Sequence, residues 1–68
     1  MRVKRIKELE RHDLSDGGVA RVSRLGRTYS YSRTFADDQL PETVVGISKG
    51  EAYRRLEDAL RRDVLDLD

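Results

Sequence analysis

Sixty-eight residues leave room for a single small domain, and fourteen Lys and Arg against thirteen Asp and Glu give a net charge of +1. A chain this short buries only about 60% of its unfolded surface, too thin a core for a deep catalytic cleft. The absence of cysteine excludes a disulfide scaffold and any thiolate metal site, and no apolar run approaches the ~18 residues of a membrane span.

Met1-Arg2-Val3-Lys4-Arg5-Ile6-Lys7 is basic but lacks the apolar stretch of a signal peptide, so a cytoplasmic protein is expected. The near-neutral total hides a split. Residues 1–34 carry nine basic and four acidic groups, whereas residues 35–68 carry five basic and nine acidic. Such a division suggests a polyanionic partner for the first half, or mutual neutralisation within the fold or across a dimer.

Residues 3–14 hold two patterns. Val3, Ile6 and Leu9 recur at helical spacing, while Ile6 to Leu14 is also long enough to pair with Val19–Leu25 as a first strand. The turn Ser15-Asp16-Gly17-Gly18 favours the strand, because a lone hairpin is marginal and a third strand makes a sheet. Val19–Leu25 and Thr28–Phe35 are rich in β-branched and aromatic residues and flank Gly26-Arg27. Glycine first in a two-residue loop indicates a type II′ turn. That turn sets Leu25 opposite Thr28, Arg24 opposite Tyr29, Ser23 opposite Ser30, Val22 opposite Tyr31 and Arg21 opposite Ser32. One face then carries Ala20, Val22, Tyr29, Tyr31 and Phe35, with Arg24 and Arg33 at its margins. The other carries Val19, Arg21, Ser23, Thr28, Ser30, Ser32 and Thr34. A slip of one residue would exchange the two faces.

Ala36–Ile47 reads as a loop whose run Val44-Val45-Gly46-Ile47 either tucks beneath a helix or adds a brief strand near 43–47. Ser48-Lys49-Gly50-Glu51 fits a capping box, with the Glu51 carboxylate reaching back toward Ser48. Beyond it Ala52, Tyr53, Leu56, Leu60 and Val64 recur at helical spacing, and Glu51–Arg55, Glu57–Arg61 and Asp58–Arg62 place an acid four residues before a base. The pattern predicts a helix from Lys49 to Leu65, with fraying at Asp66-Leu67-Asp68. The expected fold is α+β: a three-stranded antiparallel sheet under one C-terminal helix, with the short extra strand as an option.

One helix covers one sheet face and leaves the other open. No enzymatic chemistry stands out. His12 neighbours Asp13, but adjacent strand residues point to opposite faces, and neither Asp37-Asp38 nor Asp63/Asp66/Asp68 has calcium-loop spacing. No catalytic residue, metal or cofactor is expected. The open face has positive content instead. Arg21 can donate two hydrogen bonds to guanine or phosphate, and Ser23, Thr28, Ser30 and Ser32 offer short hydroxyls. Arg27 stands at the hairpin tip, Arg24 and Arg33 flank the margins, and Lys4, Arg5 and Lys7 offer backbone contacts at one end.

Val19-Ala20-Arg21-Val22-Ser23-Arg24, Gly26-Arg27, Tyr31-Ser32-Arg33-Thr34-Phe35 and Glu51-Ala52 together resemble the N-terminal arm-site DNA-binding domain of phage-type tyrosine integrases. The resemblance implies three antiparallel strands with a C-terminal helix, and a sheet that lies in the DNA major groove. The expectation is a non-enzymatic DNA-binding module of phage or mobile-element type using Arg21, Ser23, Arg24, Arg27, Ser30, Ser32 and Arg33. The alternative is a small inhibitor or adaptor that docks on a larger protein complex; a homodimer is a third arrangement.

Overall fold

A computed structural model describes residues 6–37 and 39–66. Its elements are β1 (Ile6–Asp13), β2 (Val19–Leu25), β3 (Thr28–Arg33), β4 (Glu42–Ile47) and α1 (Lys49–Asp66). The strands form one antiparallel sheet in the order β1-β2-β3-β4, and α1 packs on the two central strands. The α+β class is as expected, and the optional run near 43–47 is a full edge strand on β3. No helix among the described residues is long and apolar enough to cross a membrane.

The β2–β3 register follows from its turn. Gly26 has φ 65°, and no non-glycine among the described residues has positive φ, so Arg27 supplies the negative φ of a type II′ turn. Leu25 pairs with Thr28, Ser23 with Ser30, Val22 with Tyr31 and Arg21 with Ser32, as the sequence predicts. Ala20, Val22 and Tyr31 therefore face the helix and are buried with Leu14, Ala52 and Leu56. Leu9, Tyr29, Ile47, Tyr53, Ala59 and Leu60 pack around this small core.

Both edge strands carry a bulge. In β1 the register shifts between Glu8 and Glu10, which lets Leu9 join the core while Arg11 pairs with Arg21. In β4 the shift falls opposite Ser30, with Gly46 at φ 71°. Val44 thus pairs with Tyr31 and Ile47 with Tyr29 although they are three residues apart, so both reach the helix side. Bulges also disrupt the flat edges onto which another chain could add.

β3 is shorter than the sequence suggests, ending at Arg33 rather than Phe35. The Thr34 amide still donates to the Val19 carbonyl at 2.8 Å, but the Val19 amide donates to the Thr34 hydroxyl at 3.0 Å. The side chain takes the place of the Thr34 carbonyl, which instead accepts from Arg33 Nη1, and the ladder stops there. Nearby, the Gly18 backbone passes so close to Thr34 that a Cβ on it would lie 2.0 Å from the Thr34 carbonyl oxygen. Only glycine fits.

The helix begins as its cap dictates. The Glu51 amide donates to Ser48 Oγ at 3.2 Å, and the Ala52 amide to the Ser48 carbonyl at 3.0 Å. The Glu51 carboxylate does not complete the capping box, because it pairs with Arg55 at 3.3 Å. Asp58–Arg62 closes at 3.2 Å, while Glu57 and Arg61 form no ion pair among the described residues. Val64, expected on the packed stripe, is exposed, since α1 is about 27 Å long at 1.5 Å per residue and overruns the sheet. The helix reaches Asp66, and the fraying expected at Leu67-Asp68 lies outside the described residues.

Its far end is held by a contact that local sequence does not announce. Asp63 accepts from the Ser15 amide at 3.0 and 3.1 Å and from the Ser15 hydroxyl at 2.6 Å, tying α1 to the β1–β2 turn.

Gly18→Ala is expected to destabilise the fold by about 1–3 kcal/mol through overpacking. At Gly26 a Cβ meets open space, but its φ of 65° makes Ala cost about 1–2 kcal/mol of backbone strain, and urea denaturation of both variants measures the two costs. Asp63→Ala removes three hydrogen bonds at an exposed site and is expected to cost about 1 kcal/mol, with amide exchange accelerated at Ser15 and in the last turns of α1.

Candidate nucleic-acid interface

The helix covers the face of Ala20, Val22 and Tyr31, and among the described residues no element lies over the opposite face. Strand pairing lays out that face in rows. Ile6, Leu25 and Thr28 lie nearest the β2–β3 hairpin, followed by Glu8, Ser23, Ser30 and Val45, and then by Arg11, Arg21, Ser32 and Thr43. A shallow trough of about 400 Å³ runs across it, with serines in the centre and Ile6, Leu25 and Val45 along its rim. Ile6 is 69% exposed and Val45 66%.

Four of the sequence-predicted site residues, Arg21, Ser23, Ser30 and Ser32, come together on this face. Ser23 looks outward yet is only 9% exposed, because a small side chain in a central strand sits below the flanking Glu8, Arg21, Leu25 and Ser30. Its hydroxyl is reachable only by a group that enters the trough. Arg27 is exposed at the tip of the hairpin.

Arg24 and Arg33 lie at the two ends of the helix-side face. Arg24 Nε donates to the Gly26 carbonyl at 3.0 Å, which holds its guanidinium against its own turn. Arg33 is committed to the fold. It pairs with Asp16 at 3.2 Å, donates to the Thr34 carbonyl and stacks 4.0 Å from the Phe35 ring centroid. Asp16 in turn accepts from the Gly18 amide at 2.8 Å. That amide, followed by the Arg33 charge, holds the Asp16 carboxyl below its ordinary value despite an opposing desolvation effect.

Arg11 belongs to the interface although its sequence position does not reveal it. Strict alternation from Ile6 and Glu8 would turn Glu10 and His12 outward and Arg11 inward; the bulge at Leu9 reverses this. Arg11 and Arg21 are directly opposed across β1 and β2, and neither has an ion-pair or hydrogen-bond partner among the described residues. Like charges so placed repel. His12 instead bonds to Glu10 at 2.8 Å on the helix side of the edge strand.

A second hollow of about 300 Å³ lies between β3, β4 and α1, lined by Tyr31, Arg33, Phe35, Glu42, Asp58 and Arg62 among others. Its arginines are already paired with acids. Burial, reinforced by Glu42, raises the Tyr31 hydroxyl above its ordinary value, so the phenol stays protonated at neutral pH. Among the described residues no three His, Asp or Glu gather as a metal site.

Because the Asp16 carboxyl is depressed in the fold, its contribution is present above the unfolded carboxylate value near pH 4 and is lost as pH falls through the folded one. Asp16→Asn is therefore expected to be less stable than the parent at pH 7 and to converge with it toward pH 2, as followed by thermal melts across that range. No family model, curated protein or solved structure matches this chain.

Proposed function

We propose that this chain is a non-enzymatic module that binds duplex DNA through the uncovered face of its sheet. One observation carries the reading: Arg11 and Arg21 stand opposed on that face with no partner among the described residues, an arrangement that costs stability in the free protein and is relieved by a phosphate or a base edge. Arg21, nearer the sheet centre and flanked by Ser23 and Ser32, suits a bidentate contact to guanine. Arg11, on the edge strand, suits a phosphate. Four strands span about 14 Å at the usual spacing of ~4.8 Å, whereas the major groove is about 12 Å wide. The β1–β2 side, which holds the arginine rung, is therefore the part that enters. The resemblance to integrase arm-site domains agrees with this use of the sheet, while β4 extends the three strands that the family implies. Arg33, bound to Asp16 and Phe35, is left out of the contact set.

A second reading is favoured by the exposed Ile6 and Val45 on the same face, which would suit docking of a larger protein against the apolar rim. Capture experiments with and without nuclease separate the two.

Fluorescence anisotropy with a labelled duplex at low salt provides the direct test. Binding is expected to weaken steeply with added salt. Arg21→Gln is expected to remove about 1–3 kcal/mol of discrimination at one base pair, and Arg11→Gln to weaken binding alike on all sequences. Absence of salt-sensitive binding would sink the proposal.

A further inference from the structure

The charge split along the sequence becomes a polarity along the strands. The β2–β3 hairpin, the first residues of β1 and the first turn of α1 all lie at one end of the molecule, since Ile6 pairs with Leu25 and Ile47 with Tyr29. That end gathers Lys7, Arg24, Arg27 and Lys49, all exposed, against Glu8 and a first-turn Glu51 that is paired with Arg55. Lys7 and Arg24 form a second rung of like charge across β1 and β2, on the face opposite the Arg11–Arg21 rung. The helix N-terminus adds partial positive charge at the same end. The other end gathers Asp13, Asp37 and Glu42, also exposed, beside the Asp16–Arg33 and Asp63–Ser15 contacts.

We infer that the hairpin end is a phosphate anchor, distinct from the sheet face, which grips the backbone of a nucleic-acid duplex. This rests on the nucleic-acid reading above and adds an orientation to it: the hairpin tip points at the phosphates. A second copy of the chain, its acidic end against this basic one, is the weaker occupant. Exposed ion pairs contribute about 0–1 kcal/mol each, and three or four do not cover the about 4–15 kcal/mol cost of association. A polyanion instead releases condensed counterions at every phosphate neutralised.

The test is the salt dependence of duplex binding by the full chain, read as the slope of log affinity against log salt. The double variant Arg27→Gln/Lys49→Gln is expected to lower the slope by about 2, nearly one for each phosphate that is no longer neutralised, equally on unrelated duplex sequences. Arg61→Gln, exposed on the helix toward its far half, is expected to leave it unchanged. Circular dichroism confirms that each variant folds. A wild-type slope retained by the double variant overturns the anchor alone. A slope that falls with the double variant, with Arg11→Gln and Arg21→Gln both silent, keeps the anchor and overturns the open-face reading. No binding by the wild type overturns both. A salt-sensitive dimer in sedimentation without DNA, abolished by the double variant, assigns the basic end to a second copy and overturns the anchor.

Discussion

A single helix can shield only one side of a sheet, and α1 is the only helix among the described residues. Ala20, Val22 and Tyr31 from the central strands meet Ala52 and Leu56 from α1, and nearly all the fully buried apolar side chains lie at that contact. Small residues at Ala20 and Ala52 let the helix approach closely, and Tyr31 fills the width they leave. The helix rests on β2 and β3, so the edge strands lie largely outside its shadow. The surface left uncovered follows from this contact, and with it the set of side chains free to meet a partner.

The edge strands answer the same constraint locally. Each can bring apolar residues toward the helix only by breaking the two-residue alternation. The bulges at Leu9 and at Val45-Gly46 do that, recruiting Leu9 on one side and both Val44 and Ile47 on the other. Their effect on the open face is as large as on the core. The first moves Arg11 beside Arg21, and the second leaves Val45 outward beside Ser30.

Arginines that look alike in the sequence have different work. Arg33 is held at the β1–β2 turn, where Asp16, the Thr34 carbonyl and Phe35 surround it and the Gly18 backbone passes within contact. Asp63 fastens the helix to the same turn through Ser15. That end of the molecule is knitted by polar contacts where apolar material runs out. Among the described residues Arg11, Arg21 and Arg27 have no such duties, and this difference separates structural cations from those free of internal contacts.

Local sequence was enough for the helix, its Ser48 cap, the II′ turn at Gly26-Arg27 and the β2–β3 register, because each depends on residues close in the chain and on a fixed periodicity. The outward placement of Arg21, Ser23, Ser30 and Ser32 followed from that register. Tertiary structure decided the rest. Whether Val44–Ile47 tucked or paired depended on the free edge of β3, and the end of β3 on a Thr34 hydroxyl that intercepts the Val19 amide. The place of Arg11 depended on a bulge that no residue type announces, since it arises when Leu9 competes for a core assembled from distant segments. The Asp63–Ser15 and Arg33–Asp16 contacts join residues 48 and 17 positions apart. Periodicity carries the direction of a side chain along its own element, but which partner waits there is set only when the elements have packed.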